Sequence, residues 1–291
     1  MGKFGTRRGQ SWRELAIRTC RKSWDDEVFG QAARLAFYYF LSMFPALLLL
    51  LIVLGQITRT GSTGSELQDT LAGAIQQILP GDTKALIART VGQLNAEALV
   101  GAGAVFAALS SVWAALNGTW AMISGLNTAY EVEEDRPWWK VLSVAFGLTV
   151  SMGVMGIVAL WIMYYGSRAG KFIGNELGNH GHTPLLWHIV QWPVTLMLLF
   201  FSLALLYRFG PNGKDRRWKW SFPGAFVAVV LWMASTLLFG VYQSHFSSQR
   251  IYGGLNAAAA LLLWLYFTAA AIFIGGETNS QIEKASAKGW F

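Results

Sequence analysis

Six separate stretches of this chain are each apolar for roughly twenty residues, the length a helix needs to cross the hydrocarbon core of a bilayer. They cover residues 35–57, 99–123, 141–165, 185–209, 222–242 and 255–274. Shorter apolar runs are usually the cores of soluble domains, and these are too long for that. Only 13% of the 291 residues are charged, where a soluble domain carries near a quarter. The second stretch is the least apolar, rich in Gly, Ala and Ser rather than Leu. The pattern predicts an all-α polytopic membrane bundle of six transmembrane helices. A cleavable secretory signal would need a short apolar core near the start. The first run begins at Leu35 and is too long for one, so it reads as the first span.

Lys and Arg in the connecting segments set the orientation. Besides Arg34 at the edge of the first span, sixteen lie before that span, between spans two and three, between spans four and five, or in the tail; the opposite side has six. The richer side is assigned to the cytoplasm. Both ends are then cytoplasmic, as an even number of spans requires. The net charge of +7 is mainly this topology signal, and binding of nucleic acid is not expected from it. The single cysteine, Cys20, cannot form a disulfide within one chain.

Three regions divide the chain. Residues 1–34 form a cytoplasmic or interfacial N-terminal helix, in which Trp12, Leu15, Ile17 and Trp24 alternate with basic residues. Such a helix suits the headgroup layer, with Arg toward lipid phosphate; packing on the bundle is the other reading. Residues 35–276 form the membrane domain, and residues 277–291 a cytoplasmic tail. Within the membrane domain, residues 58–98 are too long for plain coil. Leu67, Leu71, Ile75 and Ile78, then Ile87, Val91, Leu94 and Ala98, fall at helical spacing around a break at Pro80-Gly81, and Asp82 can cap the second helix. This predicts an outer helical hairpin, either a structural cap or a lid. Gly166, Gly170, Gly174 and Gly178 recur every four residues, which suits a smooth helix face or a flexible loop.

No familiar catalytic constellation stands out. The stretch 166–171 is one residue short of a phosphate-binding loop and continues into Phe172. His180 and His182 are two ligands at most, and catalytic zinc takes three from protein; His188 and His245 sit near the outer ends of spans. Glu131, Glu133, Glu134 and Asp135 read as a solvated connector beside Arg136 rather than a cation site. No catalytic residue, metal or cofactor is therefore assigned.

Polar groups at membrane depth carry more information, because ionisable groups there are costly and often functional. Arg34 starts the first span and Glu277 ends the sixth at the same depth, with Asn279 just beyond. Either the two form an ion pair, or Arg34 snorkels to the headgroups and Glu277 is solvated. Asn117 and Asn127 lie toward the inner end of the second span, where they either hydrogen-bond between helices or line a polar cavity. Pro45 and Pro193 fall inside spans and are expected to kink them. Pro223 suits a first-turn proline of the fifth.

Several of these segments resemble the YihY/BrkB family of bacterial inner-membrane proteins. ARLAFYYFLSMFP resembles its opening, NTAYEVEEDRPWWK its Asn-x-x-Tyr…Arg-Pro segment, and PGAFVAVVLWMASTLLFGVY its Pro-Gly-Ala span. IYGGLNAAAALLLWLYFTAAAIFIGGETNSQ resembles its Tyr-Gly…Trp-Leu-Tyr…Gly-Ala-Glu-x-Asn ending. The matched positions are Pro45, Asn127, Tyr130, Arg136, Pro137, Pro223, Gly224, Tyr252, Gly253, Trp264, Glu277 and Asn279, while Gly276 and Thr278 depart from the usual Ala and Leu. The resemblance implies six spans in a bacterial inner membrane. Members carry an old ribonuclease label, and others are linked to serum resistance or to lipid movement. The resulting expectation is a transporter-like protein for a lipid or amphiphile, in contact with membrane lipids, with Glu277, Asn279, Asn117 and Asn127 along its path. A non-transporting scaffold for envelope integrity is the alternative. A membrane-bound hydrolase or nuclease ranks last.

Overall fold

The structure is a computed structural model that describes residues 12–59, 102–176, 183–213, 218–246 and 254–287. Within them lie seven α-helices: α1 Trp12–Asp25, α2 Val28–Arg59, α3 Ala102–Ala129, α4 Trp138–Glu176, α5 Thr183–Phe209, α6 Trp218–Phe246 and α7 Gly254–Ala287. Each of the six apolar stretches falls on one helix, α2 to α7. The hairpin expected over residues 58–98 lies outside the described residues, except that Thr58 and Arg59 continue α2.

Four of the helices contain stretches long and apolar enough to cross a membrane among the described residues: Trp138–Ile162, Val190–Phe209, Trp218–Tyr242 and Ala258–Ser286. The protein is thus an all-α polytopic membrane bundle. Its exposed apolar side chains form stripes at helical spacing, such as Phe146, Val150, Val154, Ile157 and Trp161 on α4, and Phe226, Val230, Met233, Leu237 and Val241 on α6. A water-soluble protein seldom exposes patches of this extent. Here they are the surface that lipid covers.

The helices pack in a ring, each of α2 to α6 touching the next and α7 closing it against α2; α7 also touches α3 and α1. The described core draws on Ala32 and Leu35 early in α2, Met122 and Leu126 late in α3, Val141 and Ala145 early in α4, Leu206 and Tyr207 late in α5, Ala225 and Ala228 early in α6, and Ala269 and Phe273 late in α7. Alternating early and late positions meet only if successive helices run in opposite directions. This core therefore sits at one end of the bundle, the end that carries α1.

The core is built for close backbone approach. In a bilayer, small residues replace hydrophobic collapse as the means of bringing helices together. Gly224 of α6 and Gly275 of α7 face each other, and a Cβ on Gly224 would run into the Gly275 carbonyl oxygen. The Phe273 ring lies over Gly125 of α3. The Tyr207 hydroxyl donates to the Ile272 carbonyl at 2.7 Å, tying α5 to α7.

Prolines 45 and 193 lie within continuous α2 and α5. Pro223 is not a first-turn proline: α6 begins at Trp218, placing Pro223 inside the helix. The glycine series at 166, 170 and 174 is helical, as part of α4, while Gly178 lies outside the described residues. Likewise α7 does not stop where the tail was expected to begin but runs on through Glu277 to Ala287.

Candidate functional site

The polar residues of the α1 end fall into three linked groups, beginning at the C-terminus of α3. The Glu131 N–H donates to the Thr128 carbonyl at 2.9 Å and the Val132 N–H to the Asn127 carbonyl at 3.0 Å. These are the paired bonds of a Schellman ending. Its left-handed position, usually glycine, is filled by Glu131 at φ 53°. The strained residue is held from two sides: Lys22 Nζ of α1 is 2.6 Å from its carboxylate and Lys284 Nζ of α7 is 2.9 Å away. Lys22 also pairs with Asp26, one turn on, at 3.0 Å. Hydrogen bonds from Lys22 and then Lys284 hold the Glu131 carboxyl down at about 2, and those to Glu131 and Asp26 push the Lys22 ammonium well up. One glutamate thus joins α1, the α3–α4 connection and α7.

The second group surrounds Asn127, which is buried. Its amide donates to Glu134 at 2.8 Å and its carbonyl oxygen accepts from the Asn212 backbone N–H at 2.8 Å. The Arg136 guanidinium grips Glu134 with two bonds of 2.6 Å and reaches the Gly210 carbonyl at 2.8 Å. This fork, the Asn127 amide and the Arg136 backbone N–H hold the Glu134 carboxyl below the usual carboxylate range, against partial desolvation. The α3–α4 connection is thereby fastened to the end of α5, and Asn212 adds a 2.8 Å bond to the Glu133 carbonyl.

The third group lies on α7. The Asn279 side chain accepts from the Gly224 N–H at 2.6 Å and donates to the Ser221 carbonyl at 3.1 Å. Pro223 sits between these partners, where its ring disturbs the helical bonding of that turn; Asn279 supplies bonds there from the neighbouring helix. Glu277 is fully buried. One carboxylate oxygen accepts from Gln281 at 2.8 Å, and the other has no hydrogen-bond partner among the described residues. Ser221 and Ser280 are also buried, their hydroxyls without a hydrogen-bond partner among the described residues.

A cavity of about 560 Å³ opens beside the first two of these groups. Its lining combines apolar Trp120, Ile123 and Val141 with polar Asp26, Asn127, Glu131 and Glu134. Among the described residues no three metal-donor side chains converge.

The residues singled out from sequence separate accordingly. Asn127 borders the cavity but is fully engaged in fastening the connection. Asn279 joins α6 to α7. Asn117 is half-buried and donates to the Trp113 carbonyl of its own helix. Arg34 is exposed, and among the described residues no ion pair joins it to buried Glu277. His180 and His182 lie outside the described residues. The acidic connector is less free than its composition implied, since Glu131 and Glu134 both carry ion pairs. Sequence reasoning missed Lys22, Lys284, Asn212 and Tyr207. The Lys22–Asp26 spacing of four was a readable helix pair; the others meet partners far along the chain and left no local signal.

The comparisons agree with this picture of a membrane bundle. The family model described as Virulence factor BrkB matches residues 19–290. A ribonuclease-like protein of Bacillus subtilis, YfkH, is 28% identical over 260 residues, covering 88% of this chain and 90% of its own length. UPF0761 membrane proteins of Xanthomonas oryzae and Xanthomonas campestris are 25% and 24% identical over 274 residues, 90% of this chain. The chain spans 59% of the length of these Xanthomonas relatives. No solved structure matches. With a family match that takes in all seven described helices except the first residues of α1, the chain belongs to the BrkB family.

Proposed function

We propose that this chain is a six-span protein of a bacterial inner membrane, both ends cytoplasmic, that admits a lipid or other amphiphile at the α1 end and assists its movement across the bilayer. The cavity supports this reading most directly. A molecule with an apolar body and a polar head is matched by a site whose lining combines Trp120, Ile123 and Val141 with Asn127 and carboxylates. Glu277, buried and within electrostatic reach of Asp26, Lys22 and Lys284, is the side chain assigned to the inner part of the path. No catalytic step enters the reading.

The test is lipid translocation in proteoliposomes of the purified chain. Glu277→Gln and Ser124→Trp, the latter filling the cavity from its α3 side, are each expected to reduce flux with the fold intact. Absence of wild-type flux across several lipid classes, with and without an ion gradient, would remove the transport reading.

A specific observation favours the alternative of a non-transporting scaffold. The hydrogen bonds of Asn127, Asn279 and Tyr207 described above all fasten one element to another. On that reading Glu277→Gln changes stability alone.

A further inference from the structure

The structure divides α1 into two faces with different surroundings. Leu15, Thr19 and Ser23, four residues apart, are buried, and α1 packs chiefly on α7. Ile17 and Trp24, seven apart, point the opposite way and are 57% and 73% exposed. Arg13, Arg18 and Arg21 are exposed on α1 together with Glu14 and Asp25, three cations to two carboxylates, and by helical spacing Arg13 and Arg21 stand nearest the Ile17–Trp24 strip. The Trp24 ring meets Phe29 edge-on at a centroid distance of 6.0 Å. Phe29 is exposed at the start of α2, whose outer face continues with Phe37, Leu41 and Phe44. The apolar strip on α1 therefore leads toward the lipid-covered surface of α2.

We propose that the outer face of α1 docks into the headgroup layer of an anionic leaflet, with Ile17 and Trp24 inserted and the flanking arginines against lipid phosphate. Two observations choose this occupant. The exposed charge on α1 is net positive, with Arg13 and Arg21 nearest the strip, and complements anionic lipid. The strip also adjoins a surface that bilayer already covers, so docking extends an existing lipid contact. An indole suits the depth where one edge is wet and the other apolar. The inference requires only that the bundle sits in a membrane, and holds whether or not the chain transports anything.

Cys20, the sole cysteine of the chain, lies exposed on the same outer face, three residues after Ile17 and four before Trp24. It can carry an environment-sensitive fluorophore such as NBD without further mutation. The labelled full chain is placed in detergent, in nanodiscs of phosphatidylcholine, and in nanodiscs that also contain phosphatidylglycerol. The expected result is a blue-shifted emission, protected from iodide, that is strongest in the anionic discs. Arg21→Gln should lower the docked-to-undocked ratio about fivefold in anionic discs and little in neutral ones. Ile17→Ser with Trp24→Ser should abolish the shift in both. Both side chains face away from the bundle, and unchanged melting of the variants would confirm intact folding. A label as water-accessible in anionic discs as in detergent overturns the proposal and leaves the face to a protein partner. So does an emission shift of equal size in both kinds of disc that Arg21→Gln does not alter.

Discussion

Gly224→Ala adds one methyl group at the point where α6 and α7 come closest, and its cost can be worked from the structure. The new Cβ would overlap the Gly275 carbonyl oxygen and stand 2.5 Å from the Asn279 side-chain carbon. Neither obstacle is the loose end of a flexible side chain. One is backbone, and the other is pinned by its bonds to Gly224 and Ser221. The helices must separate, which in a packed core costs about 1–3 kcal/mol. Separation also lengthens the two Asn279 bonds, worth about 1 kcal/mol each. Alanine returns ~1 kcal/mol through its better helix propensity. The net loss is about 2–4 kcal/mol, or a fall of roughly 5–15 °C in Tm for a chain of this size. Gly240→Ala is the matched control: it lies on the same helix with nothing within 4 Å of its Cβ, so it should be neutral or slightly stabilising. Thermal unfolding of the purified protein in one detergent compares the three. The double variant with Asn279→Leu supplies a second check, because two changes acting on one contact should cost less together than the sum of each alone. A Gly224→Ala protein that melts no lower than Gly240→Ala would show that the helices do not depend on bare backbone here.

Asn279→Asp keeps an acceptor for the Gly224 N–H but loses the donor to Ser221; it should destabilise by at least about 1 kcal/mol in the same melting assay, since it also places a charge in a buried site. Arg136→Lys removes the planar fork that holds Glu134 and reaches Gly210. A loss of about 1 kcal/mol is expected, with faster backbone hydrogen exchange across residues 130–137. Glu131 gives a pH test. Its folded carboxyl is held down at about 2 against an ordinary 4.5, so its stabilising effect is complete above 4.5 and is lost as pH falls from there toward 2. The side chain is 49% exposed, which limits the effect to about 1 kcal/mol or less. Melting of wild type should fall more across that window than melting of Glu131→Gln, and parallel curves would remove the ion pairs from the account.

The membrane character of the chain was legible because it is written locally. A run of twenty apolar residues needs no knowledge of its neighbours to be recognised, and each predicted stretch lies on a helix. The faces of those helices were harder to read. α3 is rich in Gly, Ala and Ser, which made it the least certain span by apolarity; Gly118 and Gly125 have a use in the fold, receiving the rings of Tyr39 and Phe273. The acidic connector illustrates the opposite difficulty. Glu134 has a local partner in Arg136, but Glu131 resembles a solvated loop residue because its partners lie elsewhere, Lys22 more than a hundred residues earlier and Lys284 more than a hundred later, and the Gly210 carbonyl that Arg136 also reaches is likewise distant. Nothing within the connector's own sequence encodes those partners.

The end of α7 shows why polarity alone misplaces a helix terminus. After Ile274 the sequence turns from apolar to Gly-Gly-Glu-Thr-Asn-Ser, which looks like an exit into water. The structure keeps those residues helical and buried, with Glu277 and Asn279 fully inside. The resolving signal is steric. Ala269, Ala270 and Ala271 precede two glycines on α7, while Pro223 and Gly224 open the facing turn of α6. Small residues on both helices allow backbones to meet, and a backbone disturbed by proline presents polar groups that an asparagine can satisfy. A polar run that follows such a surface belongs inside the bundle. Asn279 meets that condition through two hydrogen bonds. Glu277 retains an oxygen without a hydrogen-bond partner among the described residues beside the same contact, which separates it from the asparagines as a buried group whose chemistry the packing leaves partly unused.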